Sequence, residues 1–426
     1  MAAAFGLSGC GERQEPRRTE LPVVSGPLSH SAYIWQRDWN EAVRTAVVEH
    51  GAAFGELSVL GAQIMWRNGS AAPEVVRPGV NWKALASTGR PVSAAIRIER
   101  TGSESETVEA IQKEAGRLEK AAGEAGLKLC GIQIDYDSAQ SKLGGYTSWL
   151  RKAVEALKPQ PVRITVLASW LGEAEFKTLI NVCDGYVLQV HSFDRPPPGR
   201  RPAVCDPVKA KAWVQQAAAL GHPFTVALPT YRTTAGYDAA GKLTGIAMDS
   251  VSPRWTAETR LEEFPADPDE LSALVAEWTK ARPAALTGIW WYRFPVSTDA
   301  RNWRWSTLAA VMNGRAPVSK LAVKTTGGQP VDLVLWNDGE KDEWLPEKIT
   351  ARWEESVEAL GDGVSGWEFA TQENEATFSA TVPLRKKLLP VGQSIALGWL
   401  RFREPAPANV PMSIEIAPSV TGSAPR

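Results

Sequence analysis

The run Gly131-Ile132-Gln133-Ile134-Asp135-Tyr136-Asp137 has the pattern of a buried β-strand whose end carries two carboxylates. Side chains alternate along a strand, so Gln133, Asp135 and Asp137 share one face, and the Cα atoms of the two aspartates lie ~7 Å apart. Like charges at that distance push one carboxyl group toward staying protonated at neutral pH. A protonated carboxyl beside an ionised one is what acid catalysis of glycoside hydrolysis requires.

Eight apolar runs with strand character occur along the chain, separated by segments with helical spacing. The strands are predicted at residues 31–36, 57–66, 92–99, 127–137, 162–170, 185–193, 224–231 and 286–295. The helices include 40–50, 80–87, 104–125, 146–157, 207–220 and 268–281, with Ser103, Asp206 and Asp267 as N-caps. This alternation predicts an α/β fold, a (β/α)8 TIM barrel at residues 31–315. A doubly wound open sheet is the competing arrangement, but no Gly-rich phosphate loop follows the first strand.

The pattern changes after Met312 to short strands separated by turns such as Asn337-Asp338-Gly339. This change predicts a small C-terminal β-sandwich at residues 316–403. The sandwich is either a packing partner for the barrel or an accessory carbohydrate-binding module. The Pro- and Ala-rich residues 404–426 are expected to form a disordered tail.

Residues 1–10 are small and apolar and end in Leu7-Ser8-Gly9-Cys10, which resembles the lipobox of bacterial lipoproteins. The resemblance implies that Cys10 carries a lipid and anchors the protein to the cell envelope, in the periplasm or at the outer membrane. A secreted protein is the alternative. The segment lacks a basic start and a long apolar stretch, so we interpret it as truncated. Residues 11–30 are expected to be a flexible tether, and no later segment is apolar enough to span a bilayer.

The composition of the chain limits the classes of partner that it is expected to bind. Its 47 basic and 48 acidic residues leave a formal charge of -1, which does not favour nucleic acid or an anionic membrane surface. The 18 Trp include several at predicted strand ends, where flat apolar faces suit the rings of a polysaccharide or oligosaccharide. Cys130, Cys183 and Cys205 lack the paired spacing of a zinc site, so we expect no metal and no cofactor. The protein is expected to be monomeric.

The chemistry of a (β/α)8 barrel lies at the C-terminal ends of its strands. The polar and aromatic residues predicted to bind substrate there are Arg97, Glu99, Trp170, Gln189, His191, Tyr231, Trp290 and Tyr292. Arg97 and Glu99 share a face of strand three, and their pairing either shapes the site or is a structural bridge. His191 has either a structural or a direct role. In the last strand, alternation lets Trp290 with Tyr292, or Trp291 with Arg293, face the barrel axis, but not both pairs.

Four segments resemble a bacterial family known only as domain of unknown function 3142, and the resemblance covers roughly residues 31–312. The segments are 131–137, Ser141-Lys142-Leu143 followed by Tyr146, 167–171 and 187–191. The family is regarded as a glycoside-hydrolase-like barrel, so the resemblance implies that fold.

The chain is more distantly similar to family 18 chitinases, whose strand four ends in Asp-Gly-x-Asp-x-Asp-x-Glu with the last Glu as general acid. The similarity implies that Asp137 occupies the place of the acid and Asp135 that of the Asp that supports the acetamido group of the substrate. Gln133 replaces another motif Asp, and Asp137 is one methylene shorter than Glu. Leu228-Pro229-Thr230-Tyr231 resembles the end of strand seven, and Tyr292 takes the place of the Trp that floors a subsite.

The sequence thus indicates a glycoside-hydrolase-like enzyme that acts on a polysaccharide or an aminosugar-containing glycan, with Asp137 as acid and Asp135 as its charge partner. Without a second well-placed carboxylate, catalysis would be substrate-assisted and would need an N-acetylated sugar. A barrel that binds glycan or peptidoglycan at the cell surface without cutting it is the alternative. A third possibility is an α-linked aminosugar hydrolase of the polygalactosaminidase type, in which Asp194 or Asp299 supplies the second carboxylate.

Overall fold

The structure is a computed structural model that describes residues 21–68, 70, 72–191, 204–248, 254–353, 357–385, 387–403 and 410–418. The barrel sheet has eight parallel strands: β1 (Ser29–Ile34), β2 (Glu56–Met65), β3 (Val92–Arg100), β4 (Leu129–Tyr136), β5 (Val162–Leu167), β6 (Gly185–Gln189), β7 (Phe224–Pro229) and β8 (Leu286–Tyr292). A short ninth strand, Glu74–Val76, pairs antiparallel with the end of β2. β1 pairs with both β8 and β2, so the sheet closes on itself. The predicted (β/α)8 barrel is confirmed, and the open sheet is excluded.

A helix follows each strand of the barrel. The eight are α1 (Glu41–His50), α2 (Trp82–Ser87), α3 (Glu104–Glu124), α4 (Leu143–Ala156), α5 (Ala174–Ile180), α6 (Pro207–Ala218), α7 (Pro268–Lys280) and α8 (Trp305–Met312). The predicted N-caps are confirmed, because the side chains of Ser103, Asp206 and Asp267 accept hydrogen bonds from the first turns of α3, α6 and α7. Sequence periodicity missed α5 and α8, which are short and lack a side-chain cap.

Side-chain alternation divides the barrel core into two layers. On β5, Val162, Ile164 and Val166 are fully buried against the helices. Opposite faces of the strands fill the barrel interior with a second cluster, which comprises Tyr33, Trp35, Leu60, Ala95, Val187, Ala227 and Trp290. This inner cluster is the floor on which the residues at the barrel mouth rest.

Residues 232–265 follow β7, and the sequence predicts a long loop there that serves as a lid or a rim of the active site. The structure differs, because the segment contains a three-stranded antiparallel sheet of Arg232–Tyr237, Leu243–Ala247 and Arg260–Pro265. A Cβ added at Gly236 would lie 2.1 Å from the ring of Trp255, so the close packing of this small sheet depends on glycine.

The C-terminal domain contains two four-stranded antiparallel sheets. Its strands are β9 (Leu321–Thr326), β10 (Val331–Asn337), β11 (Lys348–Trp353), β12 (Ala359–Gly363), β13 (Trp367–Gln372), β14 (Glu375–Ala380), β15 (Ser394–Phe402) and β16 (Met412–Ile416). The sheet orders are β9-β10-β15-β12 and β13-β14-β11-β16. Apolar side chains of both sheets share one core, which confirms the predicted β-sandwich.

Two predicted disordered segments contain ordered strands. Val23–Val24 pairs with Arg282–Pro283, and β1 begins at Ser29, inside the predicted tether. β16 pairs with β11, inside the predicted tail, because Met412, Ile414 and Ile416 alternate toward the sandwich core. Cys10 and the rest of residues 1–20 lie outside the described residues. No helix within the described ranges is long and apolar enough to cross a membrane.

Candidate active site

β4 carries its polar side chains from the barrel interior to the mouth. Ile132 and Ile134 face the helices and are fully buried, whereas Gln133 and Asp135 face the axis. The Asp135 side chain is 7% exposed, and that of Asp137, just past the strand end, is 46% exposed. The two carboxylates therefore share a face but differ in access to a ligand.

Arg97 contacts both carboxylates from the neighbouring strand β3, where it is in register with Asp135. Its Nη1 donates to Asp135 Oδ2 at 2.6 Å, and its Nη2 to Asp137 Oδ2 at 3.4 Å. Thr165 on β5 donates its hydroxyl to Asp135 Oδ1 at 2.6 Å. Both oxygens of Asp135 are thus hydrogen-bonded, which fixes its carboxylate.

The expected pairing of Arg97 with Glu99 is not formed. Glu99 lies exposed at the rim of the mouth and accepts a hydrogen bond from Gln63, whose side-chain oxygen accepts from Arg37. The reason is register, because β3 and β4 place Asp135 directly beside Arg97.

The protein around Asp137 desolvates its carboxyl although 46% of the side chain is exposed, and this desolvation is the largest cause that raises its pKa. The charge of Asp135 raises the pKa further. The guanidinium of Arg97 opposes both effects, and the net direction is upward. Asp137 thus keeps its proton to higher pH than an ordinary Asp does, as an acid catalyst must. The pKa of Arg97 is raised, chiefly by Asp135 and Asp137 acting against desolvation, so its positive charge persists.

Below the carboxylates, Gln133 donates a hydrogen bond to the hydroxyl of Tyr33 and accepts one from Ser58 Oγ at 3.4 Å. The ring of Tyr33 lies 4.7 Å from that of Trp290, whose other neighbours include the guanidinium of Arg163, 5.4 Å from the ring centroid. Trp290 is 2% exposed. It therefore forms part of the barrel floor and presents no open face to a ligand.

An aromatic group lines the opposite side of the mouth. The ring of Tyr292 lies 5.5 Å from Trp35, 5.7 Å from Tyr231 and 5.6 Å from His191. Of the two arrangements that alternation allows on β8, the structure has Trp290 and Tyr292 facing the axis. Trp291 is instead buried on the helix side, where its Nε1 donates to His30.

His191 is buried within this aromatic group. Its Nδ1 lies 3.2 Å from the Tyr231 hydroxyl, and its Nε2 is buried without a hydrogen-bond partner among the described residues. Burial lowers the pKa of His191 to about 3, so the ring is neutral at physiological pH and cannot act there as a protonated acid. Gln189 is half-buried and donates its amide to the carbonyl of His191 at 3.2 Å.

Like Trp290, Trp170 is a predicted site residue that the structure does not expose at the mouth. The chain leaves β5 in a 3₁₀ turn, Ala168–Trp170, and the Trp170 ring turns outward. It is fully buried beside Tyr146 and Phe176, and its Nε1 donates to the carbonyl of Ser138 at 3.1 Å. The structure thus places Trp170 in the outer core, away from the mouth where its contact with substrate is predicted.

Three site residues were missed from sequence: Trp35, Gln63 and Thr165. For Trp35 and Thr165 the available signal was alternation, since each lies two positions after a residue that faces the axis. Gln63 instead follows an irregularity of β2 between Leu60 and Ala62, which alternation does not predict. Asp299 is held by Arg293, whose Nε donates to its Oδ2 at 2.8 Å, and Asp194 lies outside the described residues. Among the described residues, no cluster of three or more His, Cys, Asp or Glu is placed to hold a metal.

Residues 88–297 match the family described as Domain of unknown function (DUF3142), and residues 321–403 match Domain of unknown function (DUF8456). The first match spans β3 to β8 and confirms the resemblance to that family. No curated protein matches the chain.

Several solved structures are distantly similar. The spore cortex-lytic enzyme SleL of Bacillus cereus is 13% identical with a TM-score of 0.48, over 69% of this chain and 75% of that one. A chitinase of Chromobacterium violaceum is 16% identical with a TM-score of 0.43, over 67% and 98%. A family 18 N-acetylglucosaminidase of Paenibacillus barengoltzii is 14% identical with a TM-score of 0.42, over 67% and 99%. The assignment of the fold rests on the strand pairing described above.

Proposed function

We propose that this barrel is a glycoside hydrolase acting on a glycan that contains N-acetylated amino sugars, with Asp137 as the proton donor. The observation that carries the proposal is the half-exposed carboxyl of Asp137 at the C-terminal end of β4, next to the buried Asp135, with its pKa raised. An acid that keeps its proton and reaches a ligand is what cleavage of a glycosidic bond needs.

Asp135 is a stabilising charge in this proposal and not a nucleophile. Its side chain is 7% exposed, and Arg97 and Thr165 occupy both of its oxygens. A carboxylate held in this way does not reach the anomeric carbon of a sugar. The acetamido oxygen of the substrate then supplies the nucleophile, and this need selects N-acetylated sugars.

The aromatic group supplies the surface for a sugar ring. Tyr292 is half-buried among Trp35, Tyr231 and His191, across the mouth from the carboxylates. Apolar faces of pyranose rings pack on such side chains, while a hydroxyl such as that of Tyr231 orients their polar groups. The substrate would lie between the charged side and the aromatic side of the mouth.

The test is release of reducing ends by the full chain from a panel of N-acetylated, deacetylated and neutral polysaccharides. Asp137→Asn removes the acid with little change of shape, and we expect turnover of the N-acetylated substrate to fall by about 10²–10⁴-fold. Asp332→Asn makes the same chemical change on an exposed residue of the sandwich and is expected to leave turnover unchanged.

A second candidate function is a barrel that binds glycan without cutting it. The contact of Arg97 with Asp137 favours it, because a nearby cation opposes protonation of the acid. In that case no substrate of the panel is turned over, binding of the glycan persists in Asp137→Asn, and Tyr292→Ala loses the binding.

We propose that a lipid on Cys10 anchors the protein in the cell envelope and is its only contact with the membrane. The alternative is that the protein is secreted. The support is the lipobox resemblance of residues 7–10. Fractionation of cells that express Cys10→Ser tests it, since the variant is expected to leave the membrane fraction. Wild-type protein found only in the soluble fraction would contradict the proposal.

A further inference from the structure

We propose that Arg97 is a positioning residue rather than a ligand for substrate. Its guanidinium holds Asp135 and Asp137 in one arrangement and stabilises the carboxylate that Asp137 becomes once its proton has left. The role in turnover rests on the proposed function, whereas the role in holding the two carboxylates does not depend on it.

The geometry supports this role directly. The guanidinium is a planar fork, and each of its two terminal nitrogens contacts a different aspartate, at 2.6 Å and 3.4 Å. The Arg97 side chain is 30% exposed, and its partner Asp135 is buried. Both terminal nitrogens of Arg97 donate to aspartates, so fewer of its N–H groups remain to bind a substrate than the predicted substrate-binding role requires.

Arg97 differs in charge from the other titratable groups described around Asp137. Asp135 lies on the same strand and repels a negative charge at Asp137, and the buried phenol of Tyr146 lies behind it in α4. Tyr292 on β8 lies near enough to raise the pKa of Arg97. Within the described part of the chain, Arg97 is the cation that contacts Asp137. Its removal leaves two carboxylates side by side without a compensating charge.

The proposed step shows where this charge matters. The proton of Asp137 passes to the glycosidic oxygen, the bond from that oxygen to the anomeric carbon breaks, and its electron pair stays with the leaving alcohol. The acetamido oxygen of the substrate forms the new bond to the anomeric carbon. Asp137 is left as an anion beside Asp135, and Arg97 stabilises that state.

A titration that does not depend on catalysis tests the inference. In full-length protein with ¹³C-labelled aspartate carboxyls, the Asp137 signal is assigned by its loss in Asp137→Asn and followed against pH. We expect its midpoint to rise by about 1–3 pH units in Arg97→Gln, because an opposite charge at this distance lowers a carboxyl pKa by that amount. Arg97→Lys keeps a point charge without the fork and is expected to show a smaller rise.

The matched control is Arg100→Gln, which removes an arginine of the same strand that donates to Asn68 instead of an aspartate. It is expected to leave the midpoint unchanged. An Asp137 midpoint that stays at its wild-type value in Arg97→Gln overturns the inference. If Arg97→Gln does not fold, Arg97→Met, which also removes the charge, is titrated in its place and is judged by the same outcome.

Kinetics separate this inference from the proposed function. If the enzyme turns over, the alkaline limb of its kcat/KM profile is expected to move to higher pH in Arg97→Gln together with the Asp137 midpoint. A lower rate with an unmoved limb and midpoint would indicate a purely structural role. If no substrate is turned over, the proposed function fails, while the titration still decides the role of Arg97.

Discussion

At the scale of single residues, burial divides the roles of side chains that share one face of the barrel. Asp135 and Asp137 are two positions apart, yet the first is fixed by two donors and the second is half-exposed. His191 and Tyr292 are likewise neighbours in space, and the imidazole is the buried member of the pair. Burial makes His191 a neutral support for the aromatic group.

The buried neutral state of His191 predicts a loss of stability in acid. Its pKa is about 3 in the folded protein against 6.5 for an ordinary His. Between these values the unfolded chain binds a proton that the folded protein does not, so the free energy of unfolding decreases as pH falls through 6.5. From pH 7.5 to 5.0 this loss amounts to about 2 kcal/mol for one such residue.

Urea unfolding at the two pH values measures this loss. His191→Gln is expected to reduce the acid-induced loss by that amount, although the variant is less stable at both pH values. His222→Gln, between α6 and β7, is the control for removing an imidazole that is not fully buried, and we expect it to leave the loss unchanged. An equal loss in wild type and His191→Gln would show that His191 protonates in the folded state.

Sequence reasoning identified the residues of β4 because alternation alone places Gln133, Asp135 and Asp137 on one face. It did not predict the partner of Arg97, since this depends on the register between β3 and β4, which one strand does not encode. It also misplaced Trp170, because a single 3₁₀ turn past β5 reverses the direction of the ring.

At the scale of elements, close packing of α3 on the barrel depends on a glycine in β2. A Cβ added at Gly61 would lie 2.6 Å from a methyl group of the fully buried Leu118. Gly61→Ala is therefore expected to lower the free energy of unfolding by about 1–3 kcal/mol, the usual cost of overpacking a core.

Gly116, on the same helix, is the matched control, because a Cβ there meets nothing within 4 Å. Gly116→Ala is expected to raise the free energy of unfolding by about 0.5–1 kcal/mol, since alanine loses less backbone entropy in a helix. Urea denaturation of both variants measures the two effects. Changes of the same sign would contradict the packing argument.

Elements with strong local signals were predicted well, and the others were not. α3, α6 and α7 each have a capping residue in the sequence that the structure uses. β16 was missed because Met412–Ile416 lies within a Pro- and Ala-rich stretch, and its alternation becomes meaningful only with a partner strand to cover. Long-range pairing of this kind has no local signature.

At the scale of the whole molecule, the barrel and the sandwich have separate apolar cores. Polar contacts join the two domains at the turn after β10. Lys341 pairs with Asp269 of α7, Asp342 lies 3.6 Å from Arg232, and the carbonyl of Glu340 accepts from Thr307 at 2.5 Å. The change of sequence pattern after Met312 predicted the two domains, but no local feature predicted these contacts.

Separate cores joined by polar contacts predict that the domains unfold independently. Partly exposed ion pairs contribute about 0–1 kcal/mol each, too little to make two cores of this size melt as one. Scanning calorimetry of the full chain is therefore expected to resolve two transitions.

Salt at about 1 M screens exposed charges and should bring the transition of each domain closer to that of the isolated domain. Asp269→Asn removes one pair and should act in the same direction at low salt, whereas Asp332→Asn, on the exposed face of β10, should not. A single transition that persists at high salt would mean that the sandwich stabilises the barrel through contacts stronger than these.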